Sequence, residues 1–274
     1  MSISKIIEEE AKKNGADKAK LIKIDKIDIS DFIESIKKYP LDFAYLKREI
    51  KKREYPKNFV EEAESVLLCF YKYWDKNGNY EELISKIKDP YNFLSANGRK
   101  KIDFINKIKK DKFKISRYAL VYDYHKLIQN NLYATLSNLK KIIKDIDGKI
   151  FVDTSPVLEK KLAILSHMAF RGKNTLAINE DIGSYFFIGG IFLNIKAGEI
   201  LGSDEFSLCN NCDLCVKACP TGALSPYNLN PSKCISYWTT HNFKGNDIPE
   251  NILNSSDYIY GCDICQEVCP YNRK

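Results

Sequence analysis

The chain has 274 residues, 44 % of them apolar and 29 % charged, with a formal net charge of +7. That apolar share belongs to a globular core and excludes a disordered tail. The longest apolar run, residues 185–193, is far below the roughly 20 residues that cross a bilayer. The chain opens on the polar amphipathic stretch 4–13 rather than on a charged-then-apolar leader, so a soluble protein is expected, in the cytoplasm, where thiols stay reduced.

In chain order, residues 3–13 read as a helix stopped near Gly15, 19–24 as a strand and 31–38 as a second helix. Residues 66–73 form a continuous apolar and aromatic run short enough for a buried strand, with Cys69 inside it as a core thiol. Residues 115–122 read as another strand. Ile128, Leu132, Leu136, Leu139 and Ile143 then mark one face of a long helix that Asp147-Gly148 ends. A strand over 149–153, a helix over 156–168 and one or two strands over 184–195, broken at Gly189-Gly190, complete the series. The alternation predicts an α/β (α+β) fold, a sheet flanked by helices over residues 1–202, with a cysteine-rich domain appended over 203–274.

Eight of the nine cysteines lie in the last 66 residues. They run Cys209-x2-Cys212-x2-Cys215-x3-Cys219-Pro220, then Cys234, then Cys262-x2-Cys265-x3-Cys269-Pro270. The first run has the spacing of bacterial ferredoxins, in which three thiolates hold one 4Fe-4S cluster and the fourth crosses to the other. The second run is one ligand short, and Cys234 is the nearby thiol that completes it. The expected sets are Cys209, Cys212, Cys215 and Cys269 for one cluster, and Cys219, Cys234, Cys262 and Cys265 for the second. Two structural zinc ions are the competing reading of the same cysteines, but zinc sites usually pair two well-separated knuckles. Some 200 residues precede this region, too many for a simple electron carrier.

Between residues 99 and 117 stand nine Lys or Arg against Asp103 and Asp111, a surplus of seven that equals the net charge of the whole chain. Such a run is usually a solvated helix face. Phosphate tracking along a nucleic acid is the alternative, with Phe104 and Phe113 interleaved.

Ser116-Arg117-Tyr118-Ala119, Asp123-Tyr124-His125, Phe151-Val152-Asp153-Thr154, Gly172-Lys173-Asn174-Thr175, Gly183-Ser184-Tyr185-Phe186, Lys233-Cys234-Ile235-Ser236-Tyr237 and Tyr260-Gly261-Cys262-Asp263 occur in this order. In that order and context the chain resembles the epoxyqueuosine reductases, from about residue 42 to the end, apart from an insertion around 74–114. The resemblance implies an oxidoreductase that uses two 4Fe-4S clusters and base-off cobalamin to reduce the epoxide of epoxyqueuosine in a tRNA anticodon stem-loop to queuosine. It also implies a low-potential electron donor such as flavodoxin or ferredoxin, and no membrane.

By the same resemblance Asp153 matches the family's proton donor. Ser116, Asp153, Ala177, Ile188, Ser236 and Asp263 fall at corrin-contacting positions, most of them acting through backbone groups. An exposed aspartic acid, with a pKa of about 3.9, is a poor acid at neutral pH, so the role requires a desolvated site. Capping of the helix expected from Pro156 is the alternative for Asp153. His125 is open between a hydrogen bond to substrate or corrin and a satisfied core histidine. Asp123-x-His125 opens like a cobalamin-binding Asp-x-His-x-x-Gly signature, but Ile128 replaces its glycine.

Lys160 stands where the family usually carries Arg, which loses a planar bidentate fork. The sequence ends at Lys274, where longer members continue into a helical repeat domain that helps grip tRNA. A related corrinoid reductase acting on a small or halogenated molecule therefore stays open beside the tRNA enzyme, as does a binding or electron-transfer module without catalysis.

Overall fold

The computed structural model describes residues 1–37, 39, 46–75, 77–87, 113–121, 123–153, 155–202, 206–241 and 248–273. Its strands are β1 (Lys18–Lys23), β2 (Ser65–Lys72), β3 (Lys114–Ile115), β4 (Gly148–Val152), β5 (Phe170–Arg171), β6 (Ala177–Ile178), β7 (Phe186–Leu193), β8 (Leu224–Ser225), β9 (Asn228–Leu229) and β10 (Tyr258–Tyr260). The central sheet has the order β1-β2-β7-β4, and every pair in it is antiparallel.

Both faces of that sheet are covered, which explains why β2 reads as a continuous apolar run rather than an alternating one. Val66, Leu68 and Phe70 face one core, with Phe151, Phe192 and Leu162 of the helix Glu159–Leu165. Leu67 and Cys69 face the other core, with Ile7 and Ala11 of the helix Ile3–Lys13 and Ile128, Leu132 and Leu139 of the helix Tyr124–Ile142. Cys69 is fully buried, and its thiol is pushed up to about 12 by burial, as fits an inert core thiol. Ser2 caps the first helix by accepting from the Lys5 N–H.

Three expected elements differ. The stretch 184–195 is not broken at Gly189-Gly190: β7 runs unbroken through both, pairing them with Cys69 and Leu68 on β2. The glycines serve packing. A Cβ on Gly189 would stand 2.9 Å from Ile128 Cγ2, and one on Gly190 would stand 2.4 Å from the Leu67 carbonyl oxygen and 2.6 Å from Phe151 Cζ. Of the expected strand 115–122, whose last residue lies outside the described residues, only β3 forms, followed by a 3-10 turn at Arg117–Leu120. Its partner is the three-residue β10, whose ladder takes the N–H groups of Lys114 and Ser116; the Arg117 N–H points away from β10 and donates to the Asp263 carboxylate at 2.8 Å as the chain turns into the 3-10 segment. The helix expected over 156–168 is confined to Glu159–Leu165, since the preceding N–H of Val157 bonds the Ser155 carbonyl in a tight turn.

The cysteine-rich segment is tied to the preceding part of the chain at several points. Parallel pairing of β3 with β10 is one. At a second, Gly183 has φ 70°, and a Cβ there would meet Asn272 Oδ1 at 2.1 Å; Asn272 accepts from the Ser184 N–H at 2.7 Å. No helix among the described residues is long and apolar enough to cross a membrane.

Candidate active site

The eight C-terminal cysteines fall into two neighbourhoods. Cys215 feels Cys209, Cys269 and Cys212 as its charged neighbours, and Cys269 feels Cys209 and Cys212. Cys262 feels Cys234 and Cys219, and Cys265 feels Cys262 and Cys234 most and Cys215 of the first group as well, so the two neighbourhoods adjoin at Cys265. Burial pushes the Cys262 thiol up to about 12 and raises the Cys265 thiol well above its ordinary value, so metal binding there would displace their protons. Among the described residues no group of three or more His, Cys, Asp or Glu is disposed to hold a single metal ion.

The loops that carry these cysteines are held by residues far away in sequence. Lys173, nearly buried, directs its Nζ to the Asn210 carbonyl at 2.8 Å and to Asp213 Oδ1 at 2.7 Å, while its backbone N–H approaches Cys209 Sγ at 3.4 Å. Thr239, in the π-helical turn Tyr237–His241, donates to the Ile235 carbonyl and accepts the Gly261 N–H at 3.0 Å, joining the Cys234 and Cys262 segments.

A cleft of about 410 Å³ lies against the second group, with Cys219, Cys234, Cys262 and Cys265 in its wall. Tyr73, Tyr118, Tyr124, Phe186 and Phe187 supply aromatic surface. Ser116, Asn174, Thr175, Ser184, Ser236 and Gln266 supply neutral hydrogen-bonding groups, and among the described residues no Asp, Glu, Lys, Arg or His lines it. Burial raises the phenols of Tyr118 and Tyr124, which keeps them neutral as well. A broad apolar ring rimmed by carboxamides suits this donor set.

Asp153 stands beside this cleft rather than within its lining. It follows the end of β4 with φ 54°, and its Oδ2 lies 3.0 Å from His125 Nε2 and 3.4 Å from the Tyr124 hydroxyl. Tyr124 stacks on Phe187 at 4.0 Å and on His125 at 3.9 Å, so one aromatic column runs from the sheet to the carboxylate. Asp153 caps no helix: Leu158 precedes the helix Glu159–Leu165, and His125 is bound to Asp153 rather than packed in a core.

Of the other residues anticipated from the sequence, Ser116 and Ser236 line the cleft. Asp263 is fully buried directly behind Ser116, whose hydroxyl donates to it. Ala177 lies in β6, and Ile188 packs against the core around Phe70; the adjacent Leu176 and Phe187 are the ones that line the cleft. Lys160 reaches the Thr175 carbonyl at 3.3 Å. Most of the basic stretch 99–117 lies outside the described residues. Arg117 is no phosphate ligand: its guanidinium binds Asp263 and Glu267 and stacks on Trp74, Tyr80 and Tyr185.

Residues 53–154 match the model of the family described as epoxyqueuosine reductase QueG, DUF1730, and residues 208–272 match a 4Fe-4S double cluster binding domain. The epoxyqueuosine reductase of Cyclobacterium marinum is 33 % identical over 239 residues, covering 86 % of this chain and 67 % of its own. The chain belongs to the epoxyqueuosine reductase family. The Streptococcus thermophilus epoxyqueuosine reductase superposes with a TM-score of 0.77 at 26 % identity, over 100 % of this chain and 67 % of that one. An epoxyqueuosine reductase solved with an epoxyqueuosine-modified tRNA-Tyr stem loop shares the fold, with a TM-score of 0.71 at 23 % identity over 98 % and 64 % of the two chains. The chain thus spans about two thirds of the length of these family members. Within the family frame, Glu159, Thr239 and Asn272 are residues that no sequence motif marked; each acts through a contact to a distant backbone group.

Proposed function

We propose that this chain reduces the epoxide of epoxyqueuosine, carried in a tRNA anticodon stem-loop, to the alkene of queuosine. The observation that carries the reading is a neutral cleft that has four cysteines in its wall and, through Tyr124, the Asp153 carboxylate at its edge. Two 4Fe-4S clusters would be held by Cys209, Cys212, Cys215 and Cys269 and by Cys219, Cys234, Cys262 and Cys265; the two thiol neighbourhoods support this division. Removal of the epoxide oxygen as water consumes two electrons and two protons, whereas such clusters pass electrons singly. Bound cobalamin would supply a cobalt centre able to couple single electrons to that two-electron change.

The chain's own residues supply binding and protons. The aromatic walls and neutral side chains of the cleft would hold a large amide-rimmed ring such as cobalamin. His125 and Tyr124 hold the Asp153 carboxyl, which donates a proton toward the departing oxygen. The Asp153 side chain is 61 % exposed, so the desolvation its role requires would have to come from bound cofactor and substrate. Residues 1–202 would form the cofactor and substrate domain, and 203–274 the cluster domain. A low-potential flavodoxin or ferredoxin in the cytoplasm would supply electrons. A small-molecule corrinoid reductase would share the clusters and cleft, but the sequence relatives are epoxyqueuosine reductases, which favours the modified RNA.

Asp153→Asn tests the assignment of the acid. It retains about eight iron and binds cobalamin, yet turns over about a hundredfold or more slowly. Loss of either cofactor in that variant would make Asp153 structural instead.

A further inference from the structure

Asp153 occupies the left-handed region, which few residues with a Cβ enter. The sheet does not hold it there. The β4-β7 ladder ends one residue earlier, at Val152 opposite Gly189. Instead the Asp153 N–H donates to Glu159 Oε1 at 2.8 Å, across six residues of sequence.

Glu159 is well placed to be a fixed point. It opens the helix Glu159–Leu165, whose Leu162, Ala163 and Leu165 are buried in the core beside Phe151 and Phe192. Its bond to Asp153 is not that helix's own cap, because the residue before the helix is Leu158, which offers no side-chain cap. Burial, with the nearby Asp153 charge, raises the Glu159 carboxyl to about 8. At neutral pH it can therefore accept the N–H without setting a second full negative charge beside Asp153.

We infer that Glu159 is the positioning residue of the proton donor: by accepting the Asp153 N–H it latches that residue in the left-handed conformation that sets its carboxylate against His125 and Tyr124. The inference rests on the reading of Asp153 as the acid. The latch itself is a property of the folded chain.

The test combines kinetics with hydrogen exchange on the cluster-loaded full chain, in wild type, Glu159→Ala and Glu159→Gln. Glutamine keeps an oxygen acceptor and alanine does not. In Glu159→Ala, kcat falls about tenfold or more, the scale of a misplaced catalytic group, with KM within about twofold. Amide exchange over residues 151–157 accelerates while the helix Glu159–Leu165 keeps its protection. Glu159→Gln restores both readouts.

Wild-type kcat in Glu159→Ala would overturn the inference, whatever the exchange shows. So would a glutamine variant as impaired as alanine, or loss of protection across the whole helix. If Glu159→Ala does not load iron, Glu159→Asp replaces it under the same criteria, since its carboxyl is about 1.5 Å too short to reach the amide. Failure of the underlying reading is visible separately: Asp153→Asn at full turnover would remove the donor role, while exchange over 151–157 would still report the latch.

Discussion

Removing the Arg117 guanidinium should loosen the cysteine-rich segment from the preceding part of the chain. Arg117 is 13 % exposed and donates to Asp263 Oδ2 at 3.2 Å and to Glu267 Oε1 at 2.9 Å. Its guanidinium carbon lies 5.1 Å, 4.7 Å and 5.3 Å from the ring centres of Trp74, Tyr80 and Tyr185. Asp263 is wholly buried between Cys262 and Cys265. Arg117→Met fills the same space but strands that carboxylate. Breaking a buried pair costs about 3–5 kcal/mol, and the lost ring contacts add about 0.5–2 kcal/mol.

Relief comes from two sources. The Ser116 hydroxyl and the residue-117 N–H still bind Asp263, and burial already raises its carboxyl, so it can take a proton. A net loss of about 3 kcal/mol corresponds to an apparent Tm about 6–12 °C lower for a chain of this size. The sign with pH follows from the same carboxyl. A folded-state pKa above the ordinary 3.8 means that stability falls as pH rises from there through the folded value, and removing Arg117 lifts the folded value further. The deficit of Arg117→Met therefore grows with pH. Thermal scans of cluster-loaded protein, followed by near-ultraviolet circular dichroism and by cluster absorbance, measure both. A shift below about 2 °C, or one that shrinks as pH rises, would refute the reasoning.

Cys234→Ala should lower iron from about eight to about four per chain, because no other thiol can complete the second set, while Cys69→Ser leaves iron unchanged; equal iron in both variants would break the assignment. Glu159→Gln should flatten the pH dependence of stability. With Glu159 raised from 4.5 to about 8, the folded chain keeps a proton that the unfolded chain releases, so wild type loses stability between those values and the variant gains on it across that window. Parallel stability curves would exclude a buried, raised Glu159.

What the sequence made legible followed from local pattern. The cysteine spacing announced two clusters because ligand geometry is written into short loops, and the 3.6-residue stripe of Ile128, Leu132, Leu136 and Leu139 announced the helix that covers one face of the sheet. What it hid was decided by distant partners. Gly189-Gly190 reads as a break until Ile128 and Phe151 are seen to need the space. Residues 115–122 read as a strand because nothing local reveals that the pairing partner is the three-residue β10 and that the chain turns at Arg117. Arg117 counts as one more cation in a basic run, and only the fold shows it walled in by three rings. Glu159 carries no motif, since its role depends on a backbone amide left over at the end of a strand.

The central claim is tested most directly by incubating the chain, reconstituted with iron, sulfide and cobalamin under reducing anaerobic conditions, with an anticodon stem-loop carrying epoxyqueuosine, and analysing the nucleosides by mass spectrometry. The account predicts loss of one oxygen from the modified base, with queuosine accumulating over many turnovers and none formed when cobalamin is withheld. Fully loaded protein that leaves epoxyqueuosine intact would contradict it.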